Sequence, residues 1–88
     1  MTLKLRAGIS TAEVEYGTAL LDEDRGEYWN LNPTGALVLQ TLLSGSTPDE
    51  AAQALAAEYD LDIEEAARDV EELVQNLQAA GLVEHRPA

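Results

Sequence analysis

The sequence predicts an α+β domain of winged-helix type, a three-stranded antiparallel sheet followed by three helices. Three observations carry this. Apolar residues recur at every second position in the first third of the chain and at helical spacing after Asn32-Pro33. The four residues Glu23 to Gly26 are too few for a crossover, so the strands they join run antiparallel. Helix-start and helix-stop residues then divide the remainder into three segments.

Leu3, Leu5, Ala7 and Ile9 alternate with Thr2, Lys4 and Arg6, a period of two that places the apolar set on one face of a first strand. Val14 to Asp22 forms a second β-prone stretch, in which Gly17 is expected to mark a bulge or bend. Glu23-Asp24-Arg25-Gly26 reads as a hairpin loop closed by a positive φ at Gly26, and Glu27 to Leu31 as the third strand. Asn32 is suited to cap a helix that opens on Pro33, carries Leu37, Val38, Leu39, Leu42 and Leu43, and stops at Gly45.

Thr47-Pro48-Asp49-Glu50 forms a capping box for a second helix with the apolar stripe Ala51, Ala52, Leu55, Ala56 and Tyr59. Asp62 and Glu65 predict another capping box, with Leu61 as a hydrophobic staple on Ala66. In the third helix Ile63, Ala66, Ala67, Val70, Leu73, Val74, Leu77 and Ala80 fall on one arc of about 140°, and Gly81 ends it. Arg68 is placed to pair with Glu64 and Glu72 at i±4. Leu82 and Val83 add a short extended piece. The domain is expected to span 1–83, with 84–88 as a flexible tail.

Eighty-eight residues, 45% of them hydrophobic, fit one modest core. With 17 acidic against 5 basic residues and a net charge of -12, the chain is the wrong sign for nucleic acid or an anionic membrane surface. Neither a membrane span nor a signal peptide is visible, and the cytoplasm is the expected location. Cysteine is absent, which removes thiolate nucleophiles and sulfur-based zinc sites. The one histidine, His85, lies in the expected tail, and the run Asp60, Asp62, Glu64, Glu65 lacks the glycine and the spaced glutamate of a calcium loop. No catalytic residue, metal site or cofactor is predicted.

The third strand is the candidate site. Trp29 and Leu31 read as core, but the backbone of an edge strand carries unpaired N–H and C=O groups, and here only Glu27 guards it with a charge. Addition of an extended peptide is the natural use of such an edge, with the third helix as the second wall of a groove. Two rivals are weaker. A winged-helix DNA reader would carry Arg68 against Glu64, Glu65, Asp69, Glu71 and Glu72 on its recognition helix, and an acidic carrier protein is normally all-helical with its serine opening a helix.

The segment Gly26-Glu27-Tyr28-Trp29-Asn30-Leu31-Asn32-Pro33-Thr34-Gly35-Ala36, with Leu42-Leu43-Ser44-Gly45 and Asp69-Val70 through Leu77, Gly81, Leu82 and Val83, resembles the PqqD-like family. Its members are recognition elements for ribosomally made precursor peptides. Within it, Leu20-Leu21-Asp22 and Arg25-Gly26-Glu27-Tyr28-Trp29 are most similar to the small leader-binding proteins of split lasso-peptide systems. The chain departs from the quinone-cofactor PqqD protein, which has a proline-bearing motif where Asp22-Glu23-Asp24-Arg25 stands. The resemblance implies a leader peptide docked along Glu27, Tyr28, Trp29, Asn30 and Leu31, with apolar anchors against Asp69, Val70, Leu73, Val74 and Leu77, some of these five being plain core. It implies as partners a separate transglutaminase-like leader peptidase and the cyclase, and no catalytic role.

Overall fold

The computed structural model describes residues 2–86. Its elements in chain order are β1 (Thr2–Leu5), β2 (Ile9–Val14), β3 (Gly17–Asp22), β4 (Glu27–Leu31), α1 (Pro33–Leu43), α2 (Pro48–Tyr59), α3 (Ile63–Ala79) and β5 (Val83–Arg86). The expected three-stranded antiparallel sheet and three helices are present, the sheet in the order β2-β3-β4. A second sheet of two strands pairs β1 with β5.

The strand bounds correct three expectations. The alternation from Leu3 to Ile9 is not one strand, because Ala7 and Gly8 turn the chain, Gly8 taking φ +87. The Ile9 N–H donates to the Arg6 carbonyl at 3.1 Å across that turn. The stretch from Val14 to Asp22 is likewise not one bulged strand. Glu15 and Tyr16 form a two-residue loop, and β2 pairs back onto β3 from Val14↔Gly17 to Ile9↔Asp22. Gly17 leaves that loop at φ +143, and a Cβ there would lie 1.8 Å from the Leu31 carbonyl oxygen, so the turn tolerates no side chain. Finally, β5 extends to Arg86, with Leu3 opposite His85 and Lys4 opposite Glu84, where a flexible tail was expected from residue 84. Pro87 and Ala88 lie outside the described residues.

The local signals elsewhere form as expected. The β3–β4 loop closes with the Gly26 N–H donating to the Asp22 carbonyl at 2.8 Å, and Gly26 takes φ +70. The buried Asp22 carboxylate accepts the Asp24 and Arg25 N–H groups, which satisfies it in place and fixes the loop. At α1 the Asn32 Oδ1 accepts from the Gly35 N–H at 2.9 Å, and at α2 both arms of the Thr47–Glu50 box are made. The second box is not: Asp62 has extended N-cap geometry but no side-chain hydrogen bond. The α3 C-terminus closes through the Leu82 N–H to the Leu77 carbonyl, with Gly81 at φ +75.

Leu20 of β3, Val38, Leu39 and Leu42 of α1, Leu55 of α2, Val70 of α3 and Leu82 before β5 meet in one cluster. Each buried leucine contributes about 1.5–3 kcal/mol over an exposed one. Trp29 and Leu31 pack against this cluster from β4, half-buried, as the sequence predicts.

Candidate functional site

Strand β4 is an edge. It pairs with β3 from Asp22↔Glu27 to Thr18↔Leu31, and among the described residues nothing pairs with its other side. Neighbouring residues in a strand send their side chains to opposite faces. Trp29 stands opposite Leu20, which is fully buried, so Trp29 and Leu31 face the core while Tyr28, 66% exposed, and Asn30 face outward. The main-chain groups of alternate β4 residues point to the unpaired side.

Beyond the C-terminal end of β4 lies a cleft of about 330 Å³, lined by Asn32, Thr34 and Gly35 on one side and by Asp69, Glu72, Leu73 and Asn76 on the other. Val38 and Leu55, both buried in the core, form its apolar floor. One wall is placed by the cap of α1, because the Asn32 carboxamide holds both the Gly35 N–H and the Thr34 hydroxyl. Gly35 sits close under that cap, where a Cβ would meet Asn32 Oδ1 at 3.3 Å. The other wall is one stripe of α3, since positions 69, 72, 73 and 76 repeat at three and four residues.

The five α3 positions expected in the groove therefore separate. Asp69 and Leu73 line the cleft beside β4. Val70, 1% exposed, and Leu77, 4% exposed, are core. Val74 is half-buried on the opposite flank of α3, in a second depression with Pro48, Asp49 and Glu71. Glu72 and Asn76 line the cleft and were missed; the signal available was their helical spacing from Asp69 and Leu73. Arg68 makes neither expected ion pair: among the described residues the ion pair present is Arg25–Asp22, at 3.8 Å.

Among the described residues no group of three or more potential metal ligands gathers, and no helix is long and apolar enough to cross a membrane.

The family model described as coenzyme PQQ synthesis protein D (PqqD) matches residues 17–83, which span β3, β4 and all three helices. The chain belongs to the PqqD family. Two solved structures resemble this PqqD-family chain over nearly all its length. One is a lasso peptide synthetase B1 complexed with the leader peptide, 42% identical, covering 97% of this chain and 100% of that one, with a TM-score of 0.91. The other is TbiB1 in complex with the TbiA(beta) leader peptide, 26% identical, covering 97% and 99%, with a TM-score of 0.84. A search of curated proteins finds no match for the PqqD-family chain.

Proposed function

We propose that this chain captures the leader segment of a ribosomally made precursor peptide, of the lasso class, and delivers it to a separate leader peptidase and to the cyclase. The leader adds as a strand to the open side of β4, and its side chains enter the cleft against α3. The observation that carries this is the unpaired β4 edge ending at a cleft whose other wall is α3. Strand addition divides its energy between main-chain hydrogen bonds, which any sequence can make, and side-chain pockets, which select. The 42% identity to a leader-bound synthetase B1 supports the lasso class over the quinone-cofactor class.

In this reading the chain binds and presents without catalysing, in the cytoplasm where the precursor is made. The backbone of the lone histidine, His85, belongs to β5, in a different sheet from β4. A transcription-factor role is disfavoured by the charge of -12 and the acidic surface of α3.

The test is calorimetry with the leader peptide of the 42%-identical synthetase B1. Stoichiometric binding is expected, with an affinity between about 10 nM and 10 μM, as suits a recruiting step that must release its cargo. Leu73→Asp, placing a charge where apolar anchors enter, should weaken it at least about tenfold while circular dichroism stays unchanged. No leader binding by the folded wild type, or tight binding of duplex DNA at physiological salt, overturns the proposal.

A further inference from the structure

The cleft has a chemical bias that restricts which peptide it accepts. Two of its α3 residues, Asp69 and Glu72, are carboxylates three positions apart on one helix face, and like charges at that spacing repel. Among the described residues neither carboxylate has an ion-pair partner. Among the described residues Lys4, Arg6, Arg25 and Arg68 do not line the cleft.

The opposite wall is biased the same way. Thr34 donates its hydroxyl hydrogen to Asn32 Oδ1 at 2.8 Å, and the Gly35 N–H is given to the same oxygen at 2.9 Å. Those donors are therefore used within the α1 cap, and what the Thr34 hydroxyl presents to the cleft is lone pairs. Carboxylates on one wall and an accepting hydroxyl on the other leave the carboxamide N–H groups of Asn32 and Asn76 as the neutral donors of a cleft whose formal charge is negative. A group entering it forms hydrogen bonds by bringing several N–H donors, as an ammonium or a guanidinium does.

The floor adds a second requirement. Val38, Leu55 and Leu73 call for an apolar side chain beside the cation. On an added strand, residues i and i+2 project from the same face, about 6.5–7 Å apart, which fits one anchor over the apolar floor and a neighbour between the polar walls.

We propose that the peptide this cleft recognises carries a Lys or Arg two residues from an apolar anchor, with the cation held between Asp69 and Glu72 of α3 and Thr34 of α1. The proposal rests on strand addition at β4 and specifies the ligand for that site. Asp69 and Glu72 are thus specificity residues, selecting against leaders with an acidic residue at the matching position.

The experiment uses the full chain and the leader peptide of the 42%-identical synthetase B1, resynthesised with Lys, Gln or Glu at one position at a time. At one position the wild type should prefer Lys over Glu by about tenfold or more, less so as salt rises from about 0.05 to 0.5 M. Asp69→Asn with Glu72→Gln should bring that ratio within about twofold, and Asp69→Lys with Glu72→Lys should invert it. Glu64→Gln with Glu65→Gln removes the same charge from the first turn of α3, off the cleft, and should leave the ratio intact. A Lys/Glu ratio that the Asn/Gln variant does not change, or that the first-turn variant changes equally, overturns the proposal. Absence of binding by every peptide in the series is a different result, and it removes the leader-binding reading itself along with this one.

Discussion

The three-stranded sheet has two free edges, and they are not equivalent. Strand β2 is exposed along nearly its whole length, and Glu13 stands on the same alternating set as Ile9, the set that faces the core side of the sheet. An inward-pointing charge on an edge strand discourages another chain from pairing there. Strand β4 has its single charge at its first residue, Glu27, and its remaining four residues are uncharged. Its far end opens on a cleft with α3 as the opposite wall, whereas the end of β2, at Glu13 and Val14, borders a depression whose other side is Ala36, Leu37 and Gln40 of α1. The two edges thus differ in where their charge sits and in which helix faces their end, α3 for β4 and α1 for β2.

The largest effect is expected at the contact that holds the end of β4 in place. Gly17→Ala would force a Cβ into the Leu31 carbonyl at a positive φ, and should destabilise the fold by about 3 kcal/mol or more, measured as a lowered urea midpoint. Next comes a direct contrast of the edges. Asn30→Pro in β4 and Ala12→Pro in β2 each disturb one edge strand, and both face outward by register. Asn30→Pro should weaken leader binding by about 100-fold and Ala12→Pro by no more than about twofold, with unfolding midpoints measured alongside to separate stability from binding. Equal losses in both would erase the distinction between the edges.

The flanks of α3 sharpen the same contrast on a smaller scale. Val74→Asp lies on the flank away from β4 and should leave leader affinity within about twofold, unlike Leu73→Asp on the cleft side. A large loss for Val74→Asp with little for Leu73→Asp would place the second wall on the other flank. Smallest is removal of residues 84–88, which takes most of β5 from its pairing with β1. It should lower stability by about 1–2 kcal/mol while leaving the β4 edge able to bind.

Much of this was legible in the sequence because the responsible signals are local. Asn32-Pro33, Thr47-Pro48 and Gly81 act on their own backbone within a few residues, and the helices begin and end where those residues stand. The β4 strand and its core-facing pair Trp29 and Leu31 follow from alternation over five residues. Long-range pairing was not legible. The partner of β1 lies at the far end of the chain, and alternation from Leu3 to Ile9 carries no mark of the turn at Gly8 except the glycine itself. On α3, one broad apolar arc contained core, cleft and outer-flank residues alike. Periodicity gives the angle of Val70, Leu73 and Val74 around the helix, but the positions of α1 and α2 decide which angle is covered.

The pairing of β1 with β5 sets Thr2 across from Arg86, so the described chain enters and leaves through one doorway. A module with adjacent ends can be spliced into a surface loop of a larger protein with little distortion of the host, both junctions meeting the same pair of residues. Since that doorway belongs to a different sheet from β4, such a graft would leave the β4 edge unpaired.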